Sequence, residues 1–165
     1  MRAVVFGSPL RPNLSLLCTA KTPTRDTLDV WPPLPLFLWG DDYYLTECVD
    51  NIIAALERSD RVSQIGLMNF NSYLDELLAA LQEPFPEPTN LMLGSHGGPV
   101  IPDSFLGGSA PRLQYISLNS ISFPGLPKLL LSATHLVDLY CWIRGLYQCP
   151  STQQVVYNLF QSNRI

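Results

Sequence analysis

Four short pieces of the chain contain residues whose types and spacing could support chemistry. Gly94-Ser-His-Gly-Gly-Pro99 resembles the His-Gly-Gly turn of an esterase oxyanion hole, where backbone N–H groups receive a developing negative charge. Gly107-Gly-Ser109-Ala-Pro111 approaches the nucleophile elbow G-x-S-x-G, with proline in place of the last glycine. His135 and Asp138 stand three apart and could form an acid–base dyad, and Asp41-Asp42 could contact a cation. Each has a plainer reading. An elbow requires a helix directly after the serine, whereas Pro111 leads into an extended run at Leu113. The glycines fall where connections must turn. Asp41-Asp42 precedes a predicted helix and would favour its positive N-terminal end. The sequence lacks a Walker loop and G-x-G-x-x-G, so it implies no nucleotide cofactor. Cys18, Cys48, Cys141 and Cys149 have no CxxC pairing and no neighbouring histidine cluster, and they read as reduced core or surface residues rather than a zinc site. A small α/β hydrolase-like enzyme is the alternative these fragments leave open.

The elements around these pieces repeat. Val62-x-x-Ile65-x-Leu67, Pro88-x-x-Leu91-x-Leu93, Leu113-x-x-Ile116-x-Leu118 and Leu136-x-x-Leu139-x-Cys141 share one template, L-x-x-L-x-L. They begin at 62, 88, 113 and 136, so successive copies are 26, 25 and 23 residues apart. Weaker copies precede them, from Leu34 to Trp39 and at Leu14-x-Leu16-x-Cys18. Helical spacing fills several gaps. Val49, Ile52, Ile53 and Leu56 predict a helix over about 46–58. Leu74, Leu77, Leu78 and Leu81 predict another, starting at Ser72 and stopped by Pro84 and Pro86. Leu126, Leu129, Leu130 and Ala133 predict a third with Pro127 in its first turn, and a further helix is expected over 151–162.

This period is that of a leucine-rich repeat, in which each unit supplies one strand and one helix or turn. The expected fold is therefore an α/β leucine-rich-repeat solenoid with short parallel strands and outer helices or turns. The repeat domain spans 1–142 and is clearest over 62–142, and 143–165 forms a divergent tail. Along each strand the template leucines face the core and the intervening residues face the concave side. Those residues are Gln64, Gly66 and Met68; Asn90, Met92 and Gly94; Tyr115, Ser117 and Asn119; and Asp138, Tyr140 and Trp142. Exposed Tyr, Trp and Met with few charges is the composition of an interface core. The candidate partner-binding residues are Asn90, Met92, Tyr115, Ser117, Asn119, Asp138, Tyr140 and Trp142. The alternative for Tyr140 and Trp142 is cover by the C-terminal tail.

The segments Cys48-Val-Asp-Asn-Ile-Ile-Ala-Ala-Leu-Glu57, Ser59-Asp-Arg-Val62, Pro102-Asp-Ser-Phe-Leu-Gly-Gly-Ser-Ala-Pro-Arg-Leu113 and Phe123-Pro-Gly-Leu-Pro-Lys-Leu-Leu-Leu-Ser-Ala-Thr-His-Leu-Val-Asp-Leu139 resemble the leucine-rich region of fungal F-box-like proteins. The resemblance runs from about Phe6 to Trp142. It implies a substrate-capturing module of a ubiquitin ligase, with a protein or peptide as partner. No segment before Phe6 could hold an F-box, so a ligase adaptor is expected only if an F-box is supplied elsewhere. After Trp142 the chain departs from the family pattern, consistent with a fragment or a truncated, non-functional product.

Composition narrows the classes further. Only 15% of the 165 residues are charged, against roughly 25% in ordinary domains, and 47% are apolar, which argues against disorder. The net charge is −4 and only two lysines occur, so a phosphate-neutralising surface for nucleic acid is not expected. Apolar runs fall well short of the ~20 residues a membrane-spanning helix needs. No signal-peptide core develops before Arg11 and Pro12, and the expected location is cytoplasmic or nuclear.

Overall fold

The computed structural model describes residues 16–19, 21, 25–41, 49–69, 73–96 and 99–142. Among these are six strands and four α-helices. The order is β1 (Leu16–Cys18), α1 (Arg25–Leu28), β2 (Leu36–Asp41), α2 (Val49–Leu56), β3 (Val62–Met68), α3 (Leu74–Ala80), β4 (Asn90–Gly94), β5 (Tyr115–Asn119), α4 (Leu126–Ser132) and β6 (Asp138–Trp142), with a 3-10 turn at Phe105–Gly108 between β4 and β5. The strands form one open sheet in the order β1-β2-β3-β4-β5-β6, every pair parallel. The fold is α/β, as the sequence predicts.

The template supplies the register. Leu38, Ile65, Leu91, Ile116 and Leu139 lie side by side across five strands, and Gly40, Leu67, Leu93, Leu118 and Cys141 form the next row. Most of these apolar side chains are fully buried, and they share one core with Ile52, Leu56, Leu77, Phe85, Phe105 and Leu129 from the connecting segments. The helices thus pack on the leucine face. The first template position needs correction. Pro88, Leu113 and Leu136 precede their strands by two residues, and only Val62 is itself in a strand. Pro88 and Leu113 are nevertheless buried.

The helices follow their apolar spacing. In α2, Ile52 and Leu56 are buried one turn apart, with Asp50 in the first turn where the helix dipole favours a carboxylate. In α3, Leu77 and Leu78 point inward, and the chain leaves the helix at Leu81 before Pro84. Pro127 occupies the first turn of α4, where its missing N–H costs nothing. The expected start at Ser72 and the expected helix over 151–162 lie outside the described residues, as does the tail 143–165.

Between β4 and β5 no α-helix forms, and the 3-10 turn takes its place. Leu106, Gly107 and Gly108 have φ of 53°, 66° and 71°. A Cβ on Gly107 would meet the Pro84 Cα at 2.9 Å, so the site requires glycine on both conformation and space. This turn is fastened to its neighbours on both sides. The Leu106 N–H donates to the Leu81 carbonyl at 2.6 Å, and the Ala110 N–H donates to Ser132 Oγ at 2.9 Å.

Backbone hydrogen bonds also cross between units at both ends of the strands. The N–H groups of Asn69, Ser95 and Ser120, each just past a strand, donate to the carbonyls of Gly94, Asn119 and Trp142 in the following unit. At the other end, Thr89, Gln114 and Val137 donate to Ser63, Thr89 and Gln114 of the preceding unit. Ser63 is an extra residue where β2 meets β3, and its hydroxyl donates to the Leu36 carbonyl at 3.0 Å. The Arg61 guanidinium donates to the carbonyls of Pro32 at 2.7 Å, Leu34 at 3.3 Å and Leu28 at 3.5 Å, which gathers the connection before β2 onto the start of β3.

This packing predicts a sharp difference between the two sides of one strand pair. Leu91→Ala, on the buried row, should cost about 2–5 kcal/mol in urea unfolding. Ser117→Ala, on the opposite face, should stay within about 0.5 kcal/mol. Equal costs would contradict the assignment of faces.

Candidate partner-binding face

The residues between the template leucines form three rows on the other face of the sheet. Phe37, Gln64, Asn90, Tyr115 and Asp138 are paired across β2 to β6. Trp39, Gly66, Met92, Ser117 and Tyr140 form the second row, and Asp41, Met68, Gly94, Asn119 and Trp142 the third. All eight candidate residues therefore lie on one face of β4, β5 and β6. Asn90, Met92, Tyr115 and Ser117 are half-buried, whereas Asn119, Asp138, Tyr140 and Trp142 are exposed. Trp142 is 65% accessible, the highest value among the aromatic residues of the face.

Two contacts give this surface its shape. The Trp39 indole lies against Gly66, so close that a Cβ there would meet Cε3 at 2.5 Å. Met68 covers Gly94 in the same way, with Sδ 2.6 Å from where a Cβ would stand. Each large side chain thus rests on the bare backbone of the next strand. Towards β6 the pattern changes to side chains packed on each other, and the Tyr115 and Tyr140 rings stand 5.6 Å apart at a 40° tilt. Phe37 and Trp39 make an edge contact at 6.3 Å.

Sequence reasoning overlooked Phe37 and Trp39 as members of the face. The copy around Leu34 was too weak to fix its register, because β2 carries Gly40 where a template leucine would stand and meets the extra residue Ser63. A glycine one register step from a tryptophan was the available signal.

The remaining candidates fall elsewhere. Asp41 closes β2, and the stretch between it and Val49, where the expected helix start would fall, lies outside the described residues. The Asp41 Oδ1 accepts a hydrogen bond from Asn69 Nδ2 at 3.5 Å. Asp42 lies outside the described residues. Ser95 is buried, and its N–H donates to the Asn119 carbonyl at 3.0 Å, so that donor belongs to the ladder between units. Gly97 and Gly98 are outside the described residues. Ser109 is exposed in extended backbone after the 3-10 turn, and the chain turns at Pro111 and Arg112 before β5, so the strand–turn–helix of a nucleophile elbow is absent at this serine. His135 and Asp138 are both exposed and are not joined by a hydrogen bond or ion pair. Among the described residues no three His, Cys, Asp or Glu side chains gather as metal ligands, and no helix is long and apolar enough to cross a membrane.

Neither Cys18 nor Cys141 is in a disulfide, and Cys48 and Cys149 lie outside the described residues. Burial pushes the Cys18 thiol from 9.0 up to about 11, against a smaller opposing pull from the Arg61 charge.

Comparison with protein-family models, with curated proteins and with solved structures returned no match.

Two predictions follow from these contacts. Gly66→Ala should displace the Trp39 indole into solvent and move its fluorescence to longer wavelength. The shift should vanish in a Trp39→Phe background, and a shift that persists would place the change at Trp31 or Trp142. Cys18, protonated up to pH 10, should resist iodoacetamide at pH 8 in the folded protein while the half-buried Cys141 reacts faster. Peptide-resolved mass spectrometry would reveal the opposite order if Cys18 were accessible.

Proposed function

We propose that this chain is a protein-recognition module built as a leucine-rich-repeat solenoid, with the three-row sheet face as its docking surface. The reading carries the resemblance to the substrate-binding region of fungal F-box-like proteins. The partner is then a protein or peptide substrate, and a ligase adaptor joins only where an F-box is supplied.

One observation supports this reading above the others. Parallel strands in sequential order, spaced at the repeat period, set Met92, Tyr115, Tyr140 and Trp142 on one partly open face with Asn90, Ser117 and Asn119 between them. Large apolar and aromatic side chains interleaved with short polar ones match the centre of a protein interface. Aromatic residues in such a surface need little ordering when a partner binds, because they have few rotatable bonds. The solenoid reading also accounts for the bonds between units, since each strand end is completed by the next unit.

The test is affinity capture from fungal lysate with the wild type and with Tyr115→Ala/Tyr140→Ala/Trp142→Ala. The triple variant should keep the wild-type circular dichroism spectrum and lose at least about tenfold in partner recovery, consistent with two or more hot-spot residues. Undiminished recovery would refute the assignment of the face.

A further inference from the structure

The three rows of the sheet face contain two charged residues, Asp41 and Asp138, and neither lysine nor arginine at any position. The described arginines near the sheet are engaged elsewhere: Arg58 pairs with Asp29, Arg112 pairs with Glu87, and Arg61 serves backbone carbonyls. Asp41 accepts from Asn69. Asp138 differs, being exposed and accepting no hydrogen bond from a described side chain. It is the register partner of Tyr115 and lies two residues before Tyr140 on the same face of β6. The two tyrosine rings are in contact, and Tyr140 is 39% accessible. A carboxylate beside an exposed aromatic face is the pairing that receives a cation, the ring quadrupole and the negative charge acting together.

Resting on the proposed docking role of this face, we infer that the Asp138–Tyr115–Tyr140 corner receives an arginine side chain from an extended partner segment. Arginine fits better than lysine for geometric reasons. Its planar guanidinium stacks on a tyrosine ring and presents a fork of N–H donors to a carboxylate, whereas an ammonium is a compact, strongly hydrated point charge. Residues two apart in a strand stand about 7 Å apart, a span that one guanidinium and its stem bridge. The negative face also repels acidic segments, which makes the corner selective as well as attractive.

The probe is the peptide acetyl-Gly-Gly-Arg-Gly-Gly-amide, titrated into isotope-labelled full-length chain and followed by backbone amide shifts, with Lys, Gln and Glu versions as comparators. The Arg peptide should produce saturable shifts centred on Tyr115, Asp138 and Tyr140, weaker with Lys and absent with Gln and Glu. Asp138→Asn and Tyr140→Ala, both at exposed positions, should each weaken binding by about three- to fivefold. Equal shifts from the Gln or Glu peptide, shifts centred elsewhere, or unchanged affinity in D138N would overturn the inference. The capture assay separates this failure from that of the docking face. Partner recovery kept by D138N but lost by the triple alanine variant overturns the arginine assignment alone, and recovery kept by both overturns the two together.

Discussion

The constraint on which the structure depends is that no unit completes its own hydrogen bonds. The N–H groups of Asn69, Ser95 and Ser120 have their acceptors in the next unit, and those of Thr89, Gln114 and Val137 have theirs in the previous one. A buried backbone donor without an acceptor is costly, so each strand fixes the placement of its neighbours. The leucines obey the same dependence. Leu91 has Ile65 on one side and Ile116 on the other, and a single strand with one helix would leave that row facing water. Each strand of the parallel sheet is thus held by its neighbours as well as by its own segment.

In-register parallel pairing also dictates what the opposite face can be. Because positions align strand after strand, a bulky residue must be accommodated by its direct neighbour. Trp39 is accommodated by Gly66 and Met68 by Gly94, which places side chains flat over the strands on the β2–β4 half. On the β5–β6 half no glycine lies beneath; Tyr115 and Tyr140 pack ring against ring, and Trp142 at the edge is the most exposed aromatic residue of the face. One sheet therefore carries two packing modes, side chain on backbone over β2–β4 and side chain on side chain towards β6.

The parts of this arrangement that were legible in the sequence are those governed by spacing. The template at 62, 88, 113 and 136 located β3 to β6 and their register, because a core-facing leucine cannot shift by one residue without turning outward. The apolar offsets in α2, α3 and α4 were readable for the same reason, as was membership of the eight candidate residues in one face. What was not legible depends on contacts distant in sequence. The left-handed turn at Leu106 to Gly108 is shaped by Pro84, more than 20 residues earlier, and the seat of Trp39 on Gly66 is visible only once β2 and β3 are paired. The hydrogen bond from Asn69 to Asp41 was equally out of reach, because the two residues lie a full strand-to-strand connection apart.

The scarcity of charge follows from the same stacking rule and bears on function. A charged side chain on a template row would be buried in every unit that repeats it, so charges are confined to connections and to the outward face. Within the connections they pair between units, Arg58 with Asp29 and Arg112 with Glu87, and bind successive turns rather than a partner. Such exposed pairs contribute little stability. Among the described residues the charged positions of the three face rows are the carboxylates Asp41 and Asp138. Under the proposed reading, Asp138, beside the exposed Tyr140, is where a planar cation would be held.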